Sequence, residues 1–246
     1  MYPVYLSIGL ILIVAIVGAI SERDKKSKAE KLSNKQTIIV KHNHTDAVQF
    51  VNKLQNLGYF NYVDPIDLNT IRQGMIEDFD PRNEFCSAWD NNSGTTLDFR
   101  YYLCDNEDLF EEGGFTAMLE TLQPTFAEIS LKLKINDHSE VINHNTNSLN
   151  HTITINEKLY IIFKDFKDVG WGEAAQRLAD ILNDQLQIQN KDEKVYLING
   201  GNEGKIIFLT EAQFQFIDTI YTNIYLKPLK VKDWCRVMEV DYFPVT

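Results

Sequence analysis

Cysteine is scarce in this chain of 246 residues, which contains only Cys86, Cys104 and Cys235. Three widely spaced cysteines are too few for a disulfide framework or a four-ligand zinc site. We therefore expect reduced thiols in a cytoplasmic compartment. The length, together with a hydrophobic fraction of 44%, is sufficient for a sizeable folded core.

Positive charge is also scarce, because 24 basic residues face 35 acidic ones and the formal net charge is −11. Residues 21–36 run against this trend, with six basic and three acidic side chains. The rest of the chain is therefore even more acidic than the total suggests. Such a surface repels nucleic acid and attracts basic proteins, so we expect a protein partner and no nucleic acid.

The chain has one long run without charge, residues 2–20. As a helix this run would be about 28 Å long, enough to cross the hydrocarbon core of a bilayer. A cleaved signal peptide is the alternative, with residues 17–19 as its cleavage site. However, the basic residues follow the run, which by the positive-inside rule keeps the remainder in the cytoplasm. We expect an inner-membrane anchor at 1–21 and a basic juxtamembrane linker at 22–36.

Helix-like and strand-like segments alternate after the linker. A β-branched strand is predicted at 37–41, and helices are predicted after Asp46 and from Asp64-Pro65 to Asp80-Pro81. Period-two alternation predicts strands at 96–103 and 129–135, with a short helix at 115–122 between them.

The Asn-rich segment 136–150 is interpreted as a long loop or a domain boundary. Residues 158–166 are apolar on both faces, which predicts a central strand. An amphipathic helix, with Trp171 on its buried stripe, follows at 171–186, and a capping box at Thr210–Gln213 opens another. A last short helix is predicted at 234–238. We expect an α+β fold of mostly antiparallel sheet with packed helices, divided into halves at 37–136 and 150–246.

The stretch VYLINGGNEGKIIFLT, residues 195–210, raises the question of a phosphate-binding loop. Such a loop needs Lys-Ser/Thr entering a helix, so that backbone amides face the anion. Lys205 is instead followed by strand-like residues, and no helix opens on the glycines. Asn-Gly between two apolar runs predicts a hairpin turn.

The order of elements around this turn resembles that of bacterial proteins encoded beside secreted polymorphic toxins. These proteins act as immunity factors, including those against type VI secretion effectors. The resemblance covers residues 158–217 and depends on the INGGNEG and FLT sequences. It implies a stoichiometric inhibitor of a toxin but assigns no partner-binding residues.

The five histidines suggest a metal site only weakly. His42 and His44 form an H-x-H pair, and His138, His144 and His151 are expected in or beside the Asn-rich loop. No cysteine or acidic residue stands near them at a ligand spacing. We therefore expect surface histidines, with no metal and no cofactor.

No motif of nucleophilic catalysis is present. The chain lacks a G-x-S-x-G elbow, and no cysteine has a recognisable nucleophile context. A triad assembled from distant positions stays open as an alternative, because such sites are not local in sequence.

Two acidic clusters are the candidate partner-binding residues. The first acidic cluster comprises Glu77, Asp78, Asp80 and Glu84. The second acidic cluster comprises Asp105, Glu107, Asp108, Glu111 and Glu112, with Phe110 embedded in it. Their ordinary role would be to keep helix ends and loops solvated. Their functional role would be a negative patch around an aromatic anchor, facing a basic partner. Neither cluster has the EF-hand spacing expected of a calcium site.

The combined pattern favours a membrane-anchored cytoplasmic immunity protein, not an enzyme, that occludes the active site of a basic toxin. The alternatives are a hydrolase-like enzyme at the inner membrane surface and a membrane-tethered scaffold. A ligand-sized pocket with converging histidines and carboxylates favours the enzyme, whereas a flat or convex acidic face favours the inhibitor.

Overall fold

The computed structural model describes residues 44–87 and 97–245, which belong to one compact unit, His42–Thr246. The predicted anchor, the basic linker and the strand at 37–41 lie outside the described residues. Within the described ranges, no helix is both long enough and apolar enough to cross a membrane.

The described residues fold into eight α-helices, six strands and two 3₁₀ turns, an α+β arrangement. The helices are α1 His44–Asn56, α2 Leu68–Glu77, α3 Asn106–Phe110, α4 Gly114–Thr121, α5 Gln123–Glu128, α6 Trp171–Ile188, α7 Glu211–Ile220 and α8 Val231–Met238. The strands are β1 Tyr101–Leu103, β2 Ile135–Asn143, β3 Ser148–Ile155, β4 Lys158–Phe166, β5 Glu193–Ile198 and β6 Lys205–Thr210. The 3₁₀ turns are Tyr59–Tyr62 and Gly201–Glu203.

The first sheet has the antiparallel order β1-β6-β5 and is buried on both faces. Along β6, Ile206 and Phe208 enter one hydrophobic core, and Ile207 and Leu209 enter the other. This alternation follows from the two-residue period of a strand, and double burial explains why β6 is apolar throughout. The sheet joins residues from both predicted halves. The division into halves as folding units stays a prediction.

The second sheet has the antiparallel order β2-β3-β4 and is buried on its inner face. Helix α6 is held beside β4 by a 2.8 Å ion pair between Lys158 Nζ and Asp184 Oδ2. Strand β4 was predicted to be central, and that prediction is wrong because β4 is an edge strand. Its outward-facing Leu159 and Ile161 are 54% and 41% exposed. An apolar side chain does not by itself show that its face is covered.

The Asn-rich segment is not a loop, because it forms most of the β2–β3 hairpin. Asn143 Oδ1 accepts hydrogen bonds from the backbone N–H groups of Asn145 and Thr146, at 3.0 and 3.3 Å. Asn147 adopts φ 48°, a left-handed conformation that asparagine tolerates well. The asparagines therefore build the turn between two strands.

The prediction of a strand at 129–135 is also wrong for every residue except Ile135. Ser130 has φ 52°, and Leu131 N–H donates to Phe126 O at 2.8 Å, which closes the end of α5. Ile129 and Leu131 are both buried, so the alternation reflects a covered helix end. The chain becomes a strand only at Ile135.

Of the strand predicted at 96–103, the described residues 97–103 form a strand only at Tyr101–Leu103, and Arg100 turns inward just before it. The Arg100 side chain is 1% exposed and donates to the carbonyl oxygens of Tyr59 at 2.5 Å, Gly58 at 3.1 Å and Phe208 at 3.2 Å. The guanidinium also lies over the Tyr62 ring, 3.7 Å from its centroid. These hydrogen bonds replace the bonds to water that the guanidinium loses on burial. At an ordinary exposed strand position, the same group would stay in water.

Most local signals for helices and turns are confirmed. The glycine-rich stretch connects β5 to β6 as a turn, and Thr210 and Gln213 form the capping box of α7. Helix α2, however, begins at Leu68, because Asp64 Oδ1 accepts from Ile66 N–H within the preceding turn. Trp171 is 39% exposed, although it was expected on the buried stripe of α6.

Candidate functional site

The second acidic cluster surrounds the short helix α3 and the turn that follows it. Asp105 is the N-cap of α3, where its side chain accepts from the backbone N–H groups of Glu107 at 2.9 Å and Asp108 at 3.4 Å. This bonding assigns Asp105 a structural role. Glu111 and Glu112 follow α3 and are exposed. Asp108 is also exposed, so these three carboxylates are the members of the cluster that remain available to a partner.

A surface cleft of about 650 Å³ separates this turn from the β2–β3 hairpin. Its lining residues are Phe110, Glu111, Glu112, Glu140, Ile142, His144, Asn147, Ser148, Leu149, Phe166, Lys167 and Asp168. Four carboxylates therefore face the cleft against a single lysine. Among the described residues, no lysine or arginine forms an ion pair with Glu111 or Glu112.

Phe110 is half-buried at the wall of the cleft. Its ring packs edge-to-face against Phe163, with 5.5 Å between centroids, and against Phe166 at 6.3 Å. Both partners belong to β4, so the sheet fixes the ring. The aromatic residue of the second acidic cluster is therefore a rigid part of the cleft.

A cluster of His138, Glu140 and His151 lies on the inner face of the hairpin beside the cleft. Glu140 is directly opposite His151 in the register of β2 and β3, and His138 is two residues before Glu140. All three side chains therefore lie on one face of the sheet. This juxtaposition depends entirely on the hairpin register.

The three side chains are connected in a chain of contacts. Glu140 Oε1 lies 3.2 Å from His151 Nδ1, and Glu140 Oε2 accepts the Gly113 backbone N–H at 2.7 Å. His151 Nε2 lies 2.9 Å from His138 Nε2. The Phe115 ring packs edge-to-face on His151, with 5.1 Å between centroids. Helix α4 and the hairpin thus hold the cluster from both sides.

The protonation of His151 follows from its surroundings. Burial, together with the neighbouring His138, lowers the pKa of His151 to about 4, so the ring is neutral at pH 7. Because a carboxylate only accepts hydrogen bonds, the single ring proton belongs on Nδ1, facing Glu140. Nε2 is left with a lone pair that accepts from His138.

The first acidic cluster is placed elsewhere. Glu77 and Asp78 are exposed at the end of α2. Asp80 is paired with Arg82, with 2.6 Å between Oδ2 and Nη2. Glu84 is paired with Lys205, with 2.7 Å between Oε1 and Nζ. The last two are therefore already partly neutralised within the fold.

The glycine-rich turn contacts one member of each acidic cluster. Glu84 Oε2 accepts from Asn199 Nδ2 at 3.3 Å, and Glu107 Oε2 accepts from Asn202 Nδ2 at 3.5 Å. Both asparagines belong to the turn. Gly204 has no room for a side chain, because an added Cβ would lie 2.5 Å from the Cys104 carbonyl oxygen. The turn thus packs tightly against the chain that leads into α3.

The histidine cluster was missed by sequence reasoning, which expected His138 and His151 as surface histidines. His151 is buried, whereas His144, which is not part of the cluster, is exposed at the hairpin tip. His42 lies outside the described residues, and only the backbone of His44, at the start of α1, is described. The available signal was H-x-E at 138–140, which places both side chains on one face once the segment is read as a strand.

Two of the three thiols are poorly suited to nucleophilic chemistry. Burial raises the pKa of Cys104 and of Cys235 to about 12, which disfavours the reactive thiolate. Cys86 is exposed.

Comparison of the chain with protein-family models, with curated proteins and with solved structures gives no match. The resemblance to toxin immunity factors therefore stays a prediction from the sequence.

Proposed function

We propose that this protein is a membrane-anchored cytoplasmic immunity protein that binds a basic toxin or effector domain and occludes its active site. The observation that carries the proposal is the cleft beside the second acidic cluster. It combines uncompensated carboxylates with a fixed aromatic wall. Membrane attachment through residues 1–21 is part of the proposal and rests on the sequence.

The charge of the cleft supports recognition of a basic partner. Glu111, Glu112 and Asp168 all line the cleft, and all three are exposed. Like charges held close together create a negative potential that accelerates encounter with a positive surface. The same arrangement disfavours acidic partners, nucleic acids among them.

The apolar wall of the cleft supports a stable complex. Phe110, Ile142 and Phe166 line the same space as the carboxylates. The stem of an inserted lysine or arginine can pack on these side chains while its charged end meets Glu111 or Glu112. Buried contacts of this kind govern the dissociation rate, whereas the rim charges govern association.

Capture of the partner at two salt concentrations, followed by a growth assay, tests the proposal. The tagged full chain, in detergent, should recover one stoichiometric basic protein from the native lysate. That protein should stop growth when expressed alone and permit growth when the full chain is co-expressed. A double variant, Glu111→Gln with Glu112→Gln, should reduce recovery and protection, and its loss should be largest at low salt.

The matched control is Glu77→Gln with Asp78→Asn, which removes the same charge from the exposed end of α2. It should recover as much partner as the wild type. If the two double variants behave alike, the cleft is not the docking face. If no toxic partner exists at either salt concentration, the immunity function itself is wrong.

A second candidate is a hydrolase-like enzyme at the membrane surface. It meets the expectation, drawn from the sequence, of a ligand-sized pocket with histidines and carboxylates, because the cleft of about 650 Å³ is lined by carboxylates and His144, and Glu140 also contacts His151. Volumes of roughly 300–1,000 Å³ are typical of small-molecule sites. Against it, most of the lining side chains are exposed, which suits a protruding segment better than an enclosed substrate. Hydrolysis of generic ester or phosphoester substrates that disappears in Glu140→Gln would favour the enzyme.

A further inference from the structure

We infer that His138 and His151 form a binding site for a divalent transition-metal ion such as Zn²⁺, with Glu140 as the residue that positions His151. The site lies on the inner face of the β2–β3 hairpin, beside the acidic cleft. His138, Glu140 and His151 present donor atoms within 4.8 Å of one another. This inference is independent of the proposed immunity function.

The distance between the two imidazoles suits a shared ion. Their Nε2 atoms are 2.9 Å apart. Two nitrogens at that separation, each about 2.0–2.1 Å from zinc, subtend an angle of about 90° at the metal. A small rotation of the His138 ring widens this angle toward the tetrahedral value. His138 has room for such a rotation, since its side chain is 22% exposed on an edge strand.

Glu140 supplies the outer support that metal-binding histidines commonly have. Its Oε1 faces Nδ1 of His151 at 3.2 Å, and its Oε2 is held by the Gly113 N–H. A carboxylate on Nδ1–H fixes the tautomer that directs the Nε2 lone pair toward the metal. Phe115 packs on the same ring and limits its rotation. His151 is therefore oriented before any ion arrives.

The donor set indicates which ions the site selects. Imidazole nitrogen suits zinc, copper and nickel, whereas magnesium and calcium prefer oxygen ligands. Two imidazoles leave coordination positions open to water or to a group bound in the cleft. A further oxygen, Glu140 Oε2, lies 3.9 Å from His138 Nε2. We therefore expect an open site with an exchangeable ligand.

Metal titration of the full chain tests the inference. The chain, purified in detergent and stripped with a chelator, is titrated with Zn²⁺ by calorimetry and with Co²⁺ by visible absorption. The wild type should bind one equivalent of Zn²⁺. His138→Ala should weaken that binding by about 100-fold or more, because it removes one of two ligands. Co²⁺ in the wild type should show the intense bands of a four- or five-coordinate ion, and these should disappear in the variant.

His144→Ala is the matched control, because His144 lies on the same hairpin and lines the cleft but stands outside the cluster. It should leave zinc affinity and the Co²⁺ spectrum unchanged. Glu140→Gln should retain one equivalent with affinity reduced about 10- to 100-fold, as expected of a positioning residue. Circular dichroism and thermal unfolding establish that each variant is folded.

Equal zinc affinity in the wild type and in folded His138→Ala would overturn the inference. So would loss of binding in His144→Ala with retention in His138→Ala. A wild type that binds no Zn²⁺ would also overturn it, and would show that the cluster is a structural polar network only.

Discussion

The two sheets of this protein differ in whether one or both of their faces are covered. The β1-β6-β5 sheet is covered on both sides, and its central strand is apolar at consecutive positions. The β2-β3-β4 sheet is covered on one side, and that side carries a histidine–carboxylate cluster among apolar residues. The first sheet contributes side chains to both hydrophobic cores, whereas the second contributes to one core and places the histidine cluster beside an open cleft. We therefore place the proposed function at the second sheet and expect the largest contributions to stability from the first.

Deletion of core volume from the first sheet should have the largest effect. Phe208, on the central strand β6, is fully buried and packs edge-to-face on Phe126. Phe208→Ala should lower the free energy of unfolding by about 3–5 kcal/mol, because it leaves a cavity. Denaturant unfolding measures this value. Leu159→Ala, on the exposed face of the second sheet, is the control and should change it by less than about 0.5 kcal/mol. A similar loss at both positions would contradict the difference between the sheets.

Substitution of Arg100 should have the next largest effect on the free energy of unfolding, because Arg100 connects the first sheet to the 3₁₀ turn at Tyr59–Tyr62. Arg100→Lys retains the charge but cannot reach the carbonyl oxygens of Gly58, Tyr59 and Phe208 together. We expect a loss of about 2–3 kcal/mol, mostly from buried groups left unpaired. Chemical unfolding again supplies the measurement. The matched control is Arg236→Lys, at an exposed position of α8, which should hardly change the free energy of unfolding. An equal loss at the two positions would refute this account.

In the second sheet, removal of the Glu140 carboxylate should cost less than either change in the first. Glu140→Ala leaves the Gly113 N–H without its acceptor and removes the carboxylate that lies 3.2 Å from His151 Nδ1. The loss should cost about 1–2 kcal/mol, toward the low end for an unsatisfied group, because Glu140 is only partly buried. Asp137→Ala removes the same charge from an exposed position of the same strand and should fall within about 0.5 kcal/mol of the wild type. Thermal unfolding compares the stability of the two variants. A larger loss of stability in Asp137→Ala than in Glu140→Ala would show that the contacts of Glu140 do not stabilise the cluster.

The smallest effect is expected where the first sheet leads into α7. Thr210 and Gln213 form the capping box, with Thr210 N–H donating to Gln213 Oε1 at 2.9 Å. Thr210→Ala should cost about 1 kcal/mol, a typical value for loss of an N-cap. Thr210→Ser, which retains the hydroxyl, should recover most of it. Failure of serine to do so would show that packing of the threonine methyl group, and not capping, is responsible.

Sequence reasoning succeeded where the determining contacts are local. The turn at 199–204, the amphipathic pattern of α6 and the capping box each depend on residues a few positions apart. Those signals do not depend on the rest of the fold. They sufficed to exclude a phosphate-binding loop and to predict an α+β fold with antiparallel sheet.

Sequence reasoning failed where distant residues decide the outcome. The exposure of β4 depends on its place at a sheet edge, and the burial of Arg100 depends on carbonyl groups more than 40 positions away. The histidine cluster is the clearest case, because His138 and Glu140 meet His151 only through the register of a hairpin whose turn was interpreted as a loop. A one-residue slip in that register would place His151 on the opposite face from both.

The most direct test of the central claim is hydrogen–deuterium exchange of the full chain with and without the toxic partner recovered in the growth assay. The account predicts slowed exchange at residues 105–113 and in the β2–β3 hairpin, the two sides of the acidic cleft. Helices α1, α2 and α7, which pack on the far face of the first sheet, should exchange as in the free protein. Protection confined to those helices, with no change at the cleft, would contradict the assignment of function to the second sheet.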